Sequence, residues 1–239
     1  MAADIKHQHI FDHEADKQSK YWALVILISS IFLYLLTVLG LTDWLSDLTS
    51  SFLLNKLGYT NQWSTYFGPE WFVNLNREFS ALGGFPLMLI FITVALIYYH
   101  LRRESRRLWR LLFVIIMGGI LLLITKIIFA PEIPDELFEI MTNQISTFPS
   151  GHAMMGTVFY ITLAVTISRR QHSRKTKRLT LITGIIITLL IGISRVLPGI
   201  HPVKDVIGGW SLGLIWLSLC WILERKIKKD LNKKSVLAR

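Results

Sequence analysis

The sequence predicts an all-α, polytopic membrane protein with six transmembrane helices and an amphipathic extracytoplasmic segment between the first two. Three observations predict it. Hydrophobic residues make up 52% of the 239-residue chain and fall in long unbroken blocks instead of the 3.6-residue stripe of a surface helix. Each of the six blocks is near the roughly 20 residues that a spanning helix needs. Basic residues are concentrated in alternate connections between the blocks, the pattern that fixes membrane topology. A soluble core could hide one such helix, but six would leave no amphipathic helices to cover them.

In chain order the apolar segments are Trp22–Leu41, Ala81–Tyr99, Leu111–Ala130, Ala153–Ser168, Leu179–Leu197 and Val206–Leu223. Residues 1–20 are polar, with His7, His9, Asp12, His13 and Glu14, and lack the apolar stretch of a cleavable signal peptide. The first helix is therefore expected to be its own signal anchor. The three histidines could ligate a metal, but a frayed tail is the plainer reading. From Thr42 to Ser80, Trp44, Trp63, Tyr66, Trp71 and Phe72 are spaced among polar residues, as aromatics at the headgroup level are. This stretch reads as a pair of short amphipathic segments on the outer face or, equally, as an ordinary loop. Gly83, Gly84 and Pro86 mark the entry into the second span, through close backbone packing or a plain turn. Cys220, the single cysteine, lies in the last helix and forms no intrachain disulfide. No repeat or linker divides the chain, which reads as one membrane domain.

A net charge of +10 raises nucleic acid as a partner, but the distribution of charge has a simpler cause. All but five of the 26 Lys and Arg residues lie in the two terminal tails, in Arg102–Arg110 or in Arg169–Arg178. The exceptions are Lys56, Arg77, Lys126, Arg195 and Lys204. The positive-inside rule then puts both termini in the cytoplasm and the odd-numbered connections outside. No nucleic-acid role is expected.

On that outward side three polar groups lie at helix ends: Lys126, Pro149-Ser150-Gly151-His152, and Arg195 with His201 and Asp205. Charge at membrane depth is costly, so each is a candidate functional group with partners nearby. Pro149–His152 reads as a helix start, with Ser150 as cap and Gly151 allowing close backbone approach to a ligand. Free N–H groups and the helix dipole there favour an anion, although a simple N-cap would also satisfy the tetrapeptide. Pro202 suits the first position of a helix, with His201 at its cap. His201 and Asp205, four apart, then share a face. The carboxylate can accept the Nδ1 proton and leave Nε2 as a nucleophile. An interfacial histidine and a dipole-favoured aspartate would explain either residue singly, but not Arg195 six residues before His201 across a Pro-Gly turn.

These residues resemble the motifs of the type 2 phosphatidic acid phosphatase superfamily, membrane lipid phosphatases of the phosphatidylglycerophosphatase B and undecaprenyl-diphosphate phosphatase type, which share their site with vanadium haloperoxidases. The family patterns P-S-G-H and S-R-x5-H-x3-D are complete here, as Pro149–His152 and Ser194–Asp205. Of K-x6-R-P, Lys126 and Pro134 are present, with Ile133 where the family has arginine. The resemblance covers about Ala81 to Leu223.

It implies a two-step displacement at phosphorus, with His201 as nucleophile, Asp205 orienting it, and His152 protonating the leaving group and then activating water. Lys126, Ser150, Gly151 and Arg195 would hold the nonbridging oxygens. No metal or cofactor is expected, since Glu132, Asp135, Glu136 and Glu139 lie in one loop without a histidine. Arg77 or Lys204 could supply the charge absent at Ile133, or the site could work with fewer cations. On this reading residues 1–21 are a cytoplasmic tail, 42–80 the extracytoplasmic segment, 81–223 the catalytic core and 224–239 a basic cytoplasmic tail. The expected activity is hydrolysis of a lipid phosphate or diphosphate, undecaprenyl diphosphate, phosphatidylglycerol phosphate or phosphatidate, outside the inner (plasma) membrane. A phosphotransferase of the same superfamily and a non-catalytic lipid-phosphate binder are the alternatives. A transporter would want an inverted repeat or paired broken helices, which the sequence lacks.

Overall fold

The computed structural model describes residues 2–57, 70–129 and 148–237, and among these the protein is all helix. The helices are α1 (Ala2–Val38), α2 (Asp43–Leu57), α3 (Glu70–Leu82), α4 (Phe85–Leu101), α5 (Ser105–Ile128), α6 (Gly151–Ser168), α7 (Arg174–Val196) and α8 (Val203–Leu237). Lys20–Val38 of α1, together with α5, α6 and α7, is long and apolar enough to cross a bilayer, as is Val203–Ile227 of α8. The remaining expected span is α4, whose 17 residues are continued by α3 across a bend of 42°. Each apolar segment of the sequence thus has its helix. The polar segment read as a frayed tail instead prolongs α1 back to Ala2, being free of Gly and Pro and containing good helix formers.

Local chemistry sets the breaks. α1 ends where Gly40 adopts a φ of 73° and Leu41 N–H reaches back to the Leu36 carbonyl at 2.9 Å, and Asp43 then opens α2. α3 and α4 are separate helices because Gly83 and Gly84 interrupt the ladder and Pro86 suits only a first turn. Where the sequence left a pair of amphipathic segments or an ordinary loop open, the described residues form two helices, α2 and α3, the second leading into α4. Trp63 and Tyr66 lie outside the described residues.

α6 and α8 form the centre. α8 packs against α1, α2, α5, α6 and α7, and α6 packs between α7 and α8. Met88, Phe159, Tyr160 and Ile191 make a buried cluster from α4, α6 and α7. Tyr160 also donates its hydroxyl to the Leu82 carbonyl at 2.8 Å, satisfying the end of α3 and tying the bend to α6. Thr157–Ile161 of α6 is wound as a π-helical turn, a local widening often found near functional sites. Large apolar side chains such as Phe32, Ile90, Leu123 and Ile182 are exposed, as a lipid-facing surface requires.

The bundle has two unlike ends. At one, the basic connections are held by acidic partners: Glu104 pairs with Arg107 at 2.7 Å and with Arg170, and Arg110 pairs with Glu224 at 2.7 Å. Desolvation alone would raise the Glu104 carboxyl, but the Arg107 and Arg170 guanidiniums outweigh it and hold it below the usual carboxylate range. At the other end lie the sequence motifs.

Candidate active site

The third motif begins at the C-terminus of α7. Gly199, with a φ of 74°, turns the chain so that His201 N–H donates to the Arg195 carbonyl at 3.0 Å. That closure explains the six-residue spacing of Arg195 and His201: it folds the connection back on its own start. α8 begins at Val203, one residue later than expected, so Pro202 stands before the helix and its carbonyl accepts from Asp205 N–H at 3.1 Å. The face-sharing of His201 and Asp205 survives the shift. His201 Nδ1 lies 3.2 Å from Asp205 Oδ2, and Asp205 is fully buried. A carboxylate in that place selects the tautomer with its proton on Nδ1 and leaves Nε2 with a lone pair.

The second motif is seated directly on this one. Ser150 caps α6 as expected, its Oγ accepting from Ala153 N–H at 3.5 Å, and its own N–H donates to the Asp205 carbonyl at 2.9 Å. The approach is close enough to require Gly209 on α8: a Cβ there would stand 2.6 Å from the Ser150 carbonyl oxygen. Gly151 opens the helix, and a Cβ on it would meet Lys126 Cε at 3.9 Å, so the stem of Lys126, in the last turn of α5, lies beside the P-S-G-H turn. Lys126 is also within electrostatic range of Asp205, as Arg195 and His201 are of His152. Lys126, Ser150, Gly151, His152, Arg195, His201 and Asp205 are thus gathered at one end of α5, α6, α7 and α8.

Two features were not foreseen from sequence. Arg195 Nη1 donates to Ser80 Oγ at 2.7 Å, so α3 reaches over the site and fixes the guanidinium. A cavity of about 210 Å³ lies between α3 and the motifs, lined by Asn76, Arg77, Ser80, His152, Ser194 and Ile200 among others. Ser80 and Arg77 are three apart on one helical face, a local signal, but the partner of Ser80 in α7 is 115 positions away and no local pattern names it. The two cations considered as substitutes for the family arginine part company here. Arg77 lines the cavity, whereas Lys204 Nζ pairs with Asp43 at 3.1 Å, toward α2. Ile133 and the acidic residues from Glu132 to Glu139 lie outside the described residues. Among those described, no three His, Cys, Asp or Glu side chains gather as a metal site.

With this geometry in place, comparison with known proteins identifies the family. The family model described as PAP2 superfamily matches residues 107–229, which include both complete motifs and Lys126. Phosphatidylglycerophosphatase B of Bacillus subtilis (strain 168) is 30% identical over 152 residues, 62% of this chain and 72% of that protein. The crystal structure of a transmembrane PAP2 type phosphatidylglycerolphosphate phosphatase from Bacillus subtilis shares the fold, with a TM-score of 0.60 over 87% of this chain and 98% of that one at 22% identity. The chain belongs to the PAP2 superfamily and is a membrane PAP2-type phosphatase related to phosphatidylglycerophosphatase B.

Proposed function

We propose that the protein removes the phosphate of a membrane lipid through a phosphohistidine intermediate, without a metal, on the extracytoplasmic face of the inner (plasma) membrane. Phosphatidylglycerol phosphate is the first candidate substrate, because the relatives are named for it, ahead of undecaprenyl diphosphate and phosphatidate. The observation that carries the reading is the pairing of His201 with buried Asp205 at 3.2 Å, at the helix ends that also gather His152, Lys126 and Arg195.

In the first step His201 Nε2 attacks phosphorus; the N–P bond forms as the bond to the lipid oxygen breaks, and His152 gives that oxygen a proton. Asp205 accepts the Nδ1 proton's hydrogen bond and offsets the positive charge that develops on the ring. In the second step His152 takes a proton from water, the hydroxide oxygen bonds to phosphorus, the N–P bond breaks and orthophosphate leaves. Lys126, Arg195, Ser150 and the Gly151 N–H oppose the charge on the nonbridging oxygens, at a helix start whose dipole favours anions. Ser80 keeps Arg195 in place. The basic end faces the cytoplasm, with both termini, and the motif end faces out.

Phosphate release by the purified protein from a panel of lipid phosphates, with and without EDTA, tests this reading. Release that survives chelation is expected. Loss restored by magnesium would overturn the metal-free mechanism, and no release from any lipid would overturn hydrolysis.

A further inference from the structure

The first turn of α8 carries Asp205, and with it the orientation of His201, but its own start has no side-chain cap from the neighbouring chain. An α-helix leaves its first N–H groups without partners, and a Ser, Thr, Asp or Asn just before the helix ordinarily serves one of them. Pro202 stands in that place and has no side-chain acceptor. Its carbonyl takes the Asp205 N–H at 3.1 Å, and the imidazole of the preceding His201 is engaged with Asp205. The Lys204 N–H needs an acceptor from elsewhere.

α2 supplies it. Lys204 N–H donates to Ser46 Oγ at 3.2 Å, across 158 positions of sequence, and Ser46 is buried. Asp43, three residues earlier on the same face of α2, pairs with Lys204 Nζ at 3.1 Å. The two contacts are unequal. Both members of the ion pair are partly exposed, where such pairs contribute little, whereas a backbone N–H left unpaired in a buried place costs as much as a lost hydrogen bond. The nitrogen held by Ser46 belongs to the residue next to Asp205, and the Asp205 carbonyl accepts from Ser150 N–H at 2.9 Å. The backbone of Asp205 is thus held from both sides, by α2 before it and by the Pro149–His152 turn after it. We propose that Ser46 is a positioning residue for the phosphatase: it caps α8 in trans and so keeps the Asp205 carboxylate against His201 Nδ1 during attack on phosphorus. The role rests on the phosphatase reading above, with His201 as nucleophile. None of the groups assigned to the phosphate oxygens lies on α2, so the cap acts on the chemical step and not on lipid binding.

Single-turnover kinetics separate those two effects. With protein in excess, formation of the dephosphorylated lipid gives a maximal rate, which reads the chemistry, and a half-saturating protein concentration, which reads binding. The lipid is whichever of phosphatidylglycerol phosphate, undecaprenyl diphosphate and phosphatidate the unsubstituted protein turns over fastest. Threonine and valine have nearly the same shape, so the difference between Ser46→Thr and Ser46→Val reads the acceptor alone. The maximal rate of Ser46→Val should lie at least about threefold below that of Ser46→Thr, within the roughly two- to thirtyfold that loss of a cap is worth, with half-saturation unchanged. Ser46→Ala, which removes the hydroxyl without adding bulk, should show the same loss relative to the unsubstituted protein. Ser51→Ala, on an exposed face of α2, should keep the original rate. Equal maximal rates for the Thr and Val forms, with only the melting temperature in detergent lower for Val, would reduce Ser46 to a structural cap and overturn the proposal. A loss confined to half-saturation would overturn it as well, by placing Ser46 at the lipid. Failure of the unsubstituted protein to release phosphate from any of the three lipids would instead overturn the phosphatase reading, and the positioning role with it.

Discussion

Ser80 and Arg195 show what a single long-range contact does for a site assembled from distant segments. The guanidinium reaches its position from the last turn of α7, and the hydroxyl of Ser80 holds one of its nitrogens at 2.7 Å. Replacing Ser80 by Ala removes that acceptor while leaving the fold intact. Hydrogen bonds to charged groups contribute roughly 1.5–3 kcal/mol, so kcat/KM for phosphate release should fall about tenfold or more, with Ser80→Thr retaining much of the activity. An unaltered kcat/KM in Ser80→Ala would show that Arg195 is oriented by other contacts. At this scale the sequence was legible where partners are close in the chain. The pairing of His201 with Asp205 follows from a spacing of four on a helix, and Ser150 as a cap follows from its position before Gly151. Ser80 was not legible, because nothing near it in the chain marks Arg195. Nor was the choice between Arg77 and Lys204, since the partner that occupies Lys204 is Asp43 on another helix.

Between elements, the decisive junction is the start of α6 against the start of α8. Ser150 N–H meets the Asp205 carbonyl, and Gly209 lets the backbones come together, so the Pro149–His152 turn and the start of α8 are fixed by one contact. Gly208 and Gly209 make a discriminating pair of substitutions. Ala at 209 would set its Cβ 2.6 Å from a backbone oxygen that cannot yield without moving the turn, whereas Ala at 208 meets a side chain, the ring edge of Phe148. Gly209→Ala should therefore cost about 1–3 kcal/mol and most of the activity, and Gly208→Ala less of both. Thermal melts in detergent alongside phosphate release would measure this, and a Gly209→Ala protein as stable and active as the original would contradict it. Sequence reading located these helices because their apolar blocks are long. It missed the one-residue delay of α8 because a proline suits both the cap and the first turn, and it left α2 and α3 open because segments of 15 and 13 residues carry a weak signal beside the spans.

Across the whole molecule the six apolar segments, the two unlike ends and the meeting of the motifs at one of them all agree. That architecture was legible because a bilayer demands continuous apolar helices and because alternating basic connections leave few topologies open. The relative placement of α3 over the site was not, since it depends on packing against α7 and on the Tyr160 bond to Leu82. Orientation follows from the charge pattern and is directly measurable. In a Cys220→Ala background, cysteine at exposed Ser50 on α2 should react with an impermeant reagent from outside intact cells, and cysteine at Gln171 only after the membrane is opened. The reverse labelling would place the site in the cytoplasm.

In the proposed mechanism His201, held by Asp205, becomes the phosphoryl carrier while His152 serves the leaving group. Incubating the protein with lipid labelled in its terminal phosphate, followed by rapid quenching at alkaline pH, detects the intermediate by its acid-labile, base-stable N–P bond. Label is expected on the unsubstituted protein and, with a substrate whose leaving group needs little protonation, persistent label on His152→Ala, where the hydrolytic step lacks its base. His201→Ala should carry none and release no phosphate. Label or near-normal turnover in His201→Ala would contradict the assignment at its core.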